Sequence, residues 1–79
     1  MNNLLENKLI EIFKVVLDVN DDFDVKSIRR INERRWDSLA HTSIIVAIES
    51  EFEIRLDISD MERITSFAST LLLLKEKGI

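Results

Sequence analysis

A chain with no proline and one glycine, Gly78, has almost none of the residues that tight turns use. Two-residue hairpin loops need left-handed backbone, which glycine supplies most cheaply, and β-turns favour proline at their second position. An all-β architecture is therefore not expected, and the connections between elements must be short capped helix ends or long loops. At 79 residues the chain makes one small domain, residues 1–79, with a thin core. A domain of this size buries only about 60–65% of its unfolded surface. It is too short for a dinucleotide-binding sheet or a two-domain cleft. Apolar residues at 46% and charged residues at 33% are the composition of a folded helical domain and not of a disordered chain.

Cysteine is absent, which removes disulfides, thiolate metal sites and a cysteine nucleophile from consideration. The net charge of −4 has the wrong sign for a general nucleic-acid binder. The longest uninterrupted apolar runs, Ile44 to Ile48 and Leu71 to Leu74, are far below the roughly 18 residues a membrane span requires. Glu6 and Lys8 interrupt the N-terminal apolar residues, so no signal peptide is expected and the default compartment is the cytoplasm.

The apolar spacing predicts four helices. In the first, about Asn2 to Leu17, Leu5, Leu9, Ile12, Phe13 and Val16 recur at steps of three and four and form one stripe. From Asp18 to Trp36 that regularity is lost. Asp21, Asp22, Asp24, Ser27 and Asn32 favour turns, and the three-residue spacing of Val25, Ile28 and Ile31 allows a short helical turn, so a long loop is expected with these apolar residues tucked under the bundle. A loop this long in a compact domain is often functional. The next helix runs from Ser38 to Phe52 behind Asp37 as N-cap, with Leu39, Ile44, Ile45, Ile48 and Phe52 as its buried stripe. Ala40, His41, Val46 and Glu49 fall away from that stripe. A connector from Glu53 to Asp57 leads to a short helix, Ser59 to Arg63, where Ser59 and Glu62 have capping-box spacing. The last helix, Phe67 to about Lys77, is capped by Ser66 or Thr65, with Phe67, Leu71 and Leu74 inward. Gly78 follows as a stop.

Acid is concentrated between Asp37 and Arg63, where seven carboxylates face two arginines. Such a face suits basic partners and salt-sensitive encounter, and equally it keeps a small domain in solution. Arg29, Arg30, Arg34 and Arg35 are interleaved with Glu33 and read as a solvated or partner-contacting loop. Asp21, Asp22 and Asp24 lack the glycine and terminal glutamate of a calcium loop, so no metal site is expected.

The segment Trp36-Asp37-Ser38-Leu39 carries the most chemistry. Ser38 stands in the first turn of an amphipathic helix, where backbone N–H groups have no intrahelical partner. A phosphate on that serine would be stabilised there. From Asp37 and Ser38 alone, an ordinary helix start is the better reading. A hydrolytic triad of Asp37, Ser38 and His41 lacks the glycine-flanked nucleophile turn, and His41 reads as solvated or partner-facing.

A longer pattern decides between these readings. Asp37-Ser38-Leu39 is followed by Ile44-Ile45, Ala47-Ile48-Glu49 and Glu51-Phe52, then by Ile54-Arg55-Leu56 and Arg63-Ile64-Thr65-Ser66-Phe67. This succession resembles the acyl carrier proteins over essentially the whole chain. The resemblance implies an all-α four-helix bundle with a long first loop and a short third helix. It also implies phosphopantetheine, received from coenzyme A, attached to Ser38, whose terminal thiol would hold acyl groups as thioesters. Such a protein is not an enzyme. Its partners would be a phosphopantetheinyl transferase and acyl-loading, condensing or acyltransferase enzymes with basic surfaces. It would be a monomer that binds no nucleic acid. On this reading Asp37 caps the helix and contacts the transferase, Leu39 and Val46 offer apolar contacts near the arm, and Glu49 and Glu51 pair with partner cations. Ile44, Ile45, Ile48, Ile64 and Leu71 would line a core able to admit an acyl chain. Where the family often has Leu-Gly before the Asp-Ser-Leu, this chain has Arg34-Arg35-Trp36, and Ala40 and Ser43 stand where acids are common. These departures point to a specialised lipid, polysaccharide or polyketide-type pathway. The alternatives are an aminoacyl or peptidyl carrier, some of which have Trp before the Asp-Ser, and a helical interaction module without a prosthetic group.

Overall fold

The computed structural model describes residues 4–79. Four α-helices follow one another: α1, Leu4–Leu17; α2, Ser38–Phe52; α3, Ile58–Glu62; and α4, Phe67–Glu76. The connection from α1 to α2 contains two 3-10 turns, Val25–Ser27 and Arg30–Asn32. No strand is present among the described residues, and helix of all kinds makes up 66% of them. The expected start of the first helix at Asn2 lies outside the described residues.

Helix α1 buries Leu9, Phe13 and Leu17 at steps of four, with Leu5, Ile12 and Val16 half-buried beside them. This is the expected stripe, and it packs chiefly on α2. Both long helices end by the same device. Asp18 and Glu53 adopt left-handed backbone (φ +55° and +53°), and the following amides bond five residues back, Val19 N–H to Lys14 O and Ile54 N–H to Glu49 O, each at 3.2 Å. Asp tolerates that conformation through its short polar side chain, whereas Glu53 bears its cost of about 1–2 kcal/mol.

Helix α2 is rotated relative to the expected stripe. Ala40, Ile44 and Ile48 fall at steps of four and are buried together with Ile45, while Phe52 is half-buried. Leu39 lies about 100° around the helix from Ala40 and is 78% exposed, so it is not part of the core. Ala40, placed on the outer side by sequence, is inside.

The long connection is a folded strap. Val25 and Ile28 enter the core, and the first 3-10 turn lies between α1 and α4. Arg30 N–H donates to Thr65 O at 2.9 Å and Phe67 N–H to Ile28 O at 3.1 Å, which ties the strap to the start of α4. Ile31, expected to tuck under the bundle with Val25 and Ile28, is 84% exposed. Ile28 and Arg29 are extended, so the chain changes direction before the second turn and a three-residue spacing no longer keeps one face. The strap ends at Trp36, which is 2% exposed. Phe13 stands edge-on between Trp36 and Phe67, with ring centroids 5.2 and 5.3 Å away.

Helix α3 begins one residue before the expected Ser59. Asp57, not Ser59, is its N-cap, and Asp60, not Glu62, completes the capping box. Asp60 N–H donates to Asp57 Oδ1 at 2.7 Å and Asp57 N–H to Asp60 Oδ2 at 3.2 Å. Capping at Asp57 lets Leu56 enter the core immediately before the helix. In α4, Ser66 caps with Ser69. The run Leu71 to Leu74 has no phase of its own, and Phe67 sets it: Thr70, Leu73 and Leu74 are buried, and Leu71 is only half-buried. Thr70 is tolerated inside because its hydroxyl donates to Ser66 O at 2.8 Å. Gly78, with φ +81°, ends the helix as expected.

Candidate functional site

The site is the junction of the strap and α2. Burial of Trp36 pins the end of the strap against Phe13. Asp37 then takes extended backbone, and its Oδ1 accepts from Ala40 N–H at 2.9 Å, while its carbonyl accepts from His41 N–H at 2.8 Å. Ser38 is the first helical residue and is exposed. Among the described residues its hydroxyl has no hydrogen-bond partner, and neither do the N–H groups of Ser38 and Leu39. Asp37 satisfies the donor beyond them and leaves these two free. An exposed primary hydroxyl therefore sits beside two free amides at the positive end of a 15-residue helix.

Several large apolar side chains are turned outward. Leu39 and Val46, 57% exposed, are seven residues apart and share a face of α2. Ile58, the first residue of α3, is also exposed.

The two acids singled out from sequence are engaged within the chain. Glu49 is half-buried, and its Oε2 accepts from Leu56 N–H at 2.9 Å, holding the connector from α2 to α3. Glu51 pairs with Lys8 of α1 at 3.3 Å. Asp57 and Asp60 are used in the cap, and Asp60 also meets Lys77 at 2.9 Å, which holds its carboxyl below the usual range chiefly through that hydrogen bond. Glu53 and Glu62 are exposed and pair with nothing among the described residues. Sequence reasoning did not rank these above Glu49 and Glu51, because spacing does not show which carboxylates the connectors consume.

His41 is half-buried, not fully solvated. Its Nδ1 accepts from Trp36 Nε1–H at 3.0 Å, and the two rings stack with centroids 6.1 Å apart. An accepting Nδ1 places the proton of the neutral ring on Nε2. Burial, followed by the nearby Arg30 charge, lowers its pKa, and a hydrogen bond from the ring to the Met61 backbone partly opposes them. This contact was not anticipated. The signal available was that a buried indole needs an acceptor. Asp37, Ser38 and His41 are adjacent but not linked as a relay: Trp36 occupies the imidazole Nδ1, and Asp37 is committed to Ala40.

Elsewhere, Arg35 pairs with Glu33 at 3.1 Å and lies over the Phe23 ring. Arg29 and Arg30 line an open groove of about 590 Å³ with Ile31, Trp36, Thr65 and Ser66. A second, apolar groove of about 350 Å³ runs between α1 and α2 past Ile12, Val15, Val16 and Ala47. Of the residues expected to line an acyl channel, Ile44, Ile45, Ile48 and Ile64 are buried and Leu71 is half-buried. Asp21 approaches Lys14 and Asp24 bonds Ser27, and no cluster of three metal-ligating side chains occurs among the described residues. No helix among them is long and apolar enough to cross a membrane. Compared with protein-family models, curated proteins and solved structures, the chain matches none.

Proposed function

We propose that this chain is an acyl carrier protein whose Ser38 bears phosphopantetheine. The single observation that carries the reading is the exposed Ser38 hydroxyl at the start of α2, which, like the neighbouring amides of Ser38 and Leu39, has no partner among the described residues. Four helices with a long first connection and a short third helix are compatible with an acyl-carrier-type bundle. The residues present fit the group: Ser38 Oγ supplies the attachment oxygen, and the two amides stand where they would meet an anionic phosphodiester. When bound, phosphopantetheine supplies a thiol that carries an acyl group as a thioester, which a chain without cysteine cannot supply itself.

Asp37 keeps the helix start rigid, so the attachment oxygen has a defined direction. Leu39 and Val46 give partner enzymes an apolar foothold on the same helix. Glu53 and Glu62, without partners among the described residues, are the carboxylates best placed to meet basic partner surfaces. Glu49 and Glu51 would have to share their carboxylates with Leu56 N–H and Lys8. Exposed pairs of this kind are worth about 0–1 kcal/mol each, so they set orientation and encounter rate more than affinity. Holding an acyl chain inside would require Ile44, Ile48 and Ile64 to move, because all three are buried.

Incubation with a phosphopantetheinyl transferase and coenzyme A should raise the intact mass by one phosphopantetheine, and Ser38→Ala should remain unchanged. A wild-type chain left unmodified by several such transferases would refute the reading. Loading with acyl against aminoacyl donors then separates an acyl carrier from a peptidyl one. Full partner binding and cellular function by Ser38→Ala would leave a plain interaction module.

A further inference from the structure

We propose that the Trp36–His41 hydrogen bond is a proton-operated latch that fixes the strap to the first turn of α2 and sets how Ser38 is presented. The latch itself rests only on this geometry, and its consequence for Ser38 rests on the carrier reading above.

The two partners bracket the serine. Trp36 is the last residue of the strap before the cap, and His41 lies one turn into the helix. The indole is held from the other side by Phe13, edge-on at 5.2 Å. The bond at 3.0 Å therefore joins the core-anchored strap to the helix across the two residues that cap and carry the candidate attachment oxygen. Indole N–H only donates, and imidazole Nδ1 accepts only when it is unprotonated. A proton on Nδ1 places two N–H groups head to head and breaks the bond.

The surroundings set the direction of titration. From the strap, Arg30 presents a like charge, which disfavours imidazolium, as does partial burial. From α3, the Met61 backbone meets the ring and favours the charged form. On its own helix, Asp37 is four residues away with its carboxylate committed to Ala40 N–H. Arg35, beside Trp36, is paired with Glu33. The latch is thus closed at neutral pH and opens below the ordinary histidine range near 6.5.

Trp36 is the only tryptophan, so its fluorescence reads the latch directly. The wild-type chain should show one reversible transition on acidification, with a midpoint below the ordinary histidine value and with far-UV circular dichroism unchanged. His41→Gln retains an acceptor that does not titrate and should stay flat. His41→Phe lacks the acceptor and should hold the acid-state emission throughout. The rate of Ser38 modification by a transferase, taken as the ratio of wild type to His41→Gln at each pH, should be near one at neutral pH. It should change by about three- to tenfold on the acid side, the equilibrium equivalent of one net hydrogen bond. A flat wild-type titration, or the same transition in His41→Gln, overturns the latch whatever the transferase does. A transition in fluorescence with an unchanged rate ratio overturns its consequence for Ser38. A chain that no transferase modifies defeats the carrier reading, and with it the consequence for Ser38, while the fluorescence titration still decides the latch.

Discussion

Phe13→Ala is the substitution with the largest expected effect on stability. The ring is completely buried and is the middle member of the Trp36–Phe13–Phe67 stack, with edge contacts at 5.2 and 5.3 Å. Truncating a buried phenylalanine costs about 3–5 kcal/mol in transfer and cavity terms. Here the upper half of that range applies, because each lost edge contact contributes about 0.5–1.5 kcal/mol beyond burial. A domain of this length has only about 4–12 kcal/mol of total stability. With a urea dependence near 1 kcal/mol per M for so short a chain, the midpoint should fall by about 4 M, or the transition should vanish. Equilibrium urea unfolding followed by far-UV circular dichroism measures this. Trp36 emission, recorded in parallel, should shift to the red because the indole loses its wall. Val15→Ala, on the exposed side of the same helix, should change stability by less than about 0.5 kcal/mol. If Phe13→Ala cost under about 1.5 kcal/mol, or no more than Val15→Ala, the argument that one aromatic stack unites α1, the strap and α4 would be wrong.

Four further outcomes are expected. Glu53→Gly should stabilise by about 0.5–1 kcal/mol in thermal or urea unfolding, since it removes the left-handed strain at φ +53° against a smaller entropic loss. Glu49→Ala should cost about 1–2 kcal/mol through the orphaned Leu56 N–H, whereas Glu51→Ala, which breaks only an exposed pair, should cost about 0–1 kcal/mol. Asp37→Ala should cost about 1 kcal/mol and Asp37→Asn a few tenths, because the amide oxygen can still cap Ala40. The Asp60 carboxyl is lowered by its hydrogen bond to Lys77, so its contribution is present above the ordinary carboxylate range and lost as pH falls through the folded value. Lys77→Met should therefore lower stability slightly at neutral pH and leave it nearly unchanged once Asp60 is protonated, so that stability falls less steeply through the acid range.

The helices were legible because their apolar periods are local. Leu9, Phe13, Ile44, Ile45, Ile48, Phe67 and Leu74 are inside as their spacing requires, and Gly78 ends α4. The misassigned positions share one cause: a neighbour in space outvoted the local pattern. The four-leucine run takes its phase from Phe67 and from a Thr70 hydroxyl satisfied by Ser66. Asp57 outcompetes Ser59 as a cap because Leu56 must reach the core. Ile31 is outside because Ile28 and Arg29 are extended and tied to α4.

For the candidate site the division is equally physical. The sequence by itself determined that a serine follows an aspartate cap at the start of an amphipathic helix, since capping is decided within four residues. Only the tertiary structure decided that Leu39 points outward, that Glu49 is spent on Leu56, and that His41 accepts a hydrogen bond from the indole N–H of Trp36. Periodicity along one helix gives relative phase but not absolute orientation. That orientation is set when α1, the strap and α4 close on α2, and the same closure brings a donor and an acceptor together across Ser38.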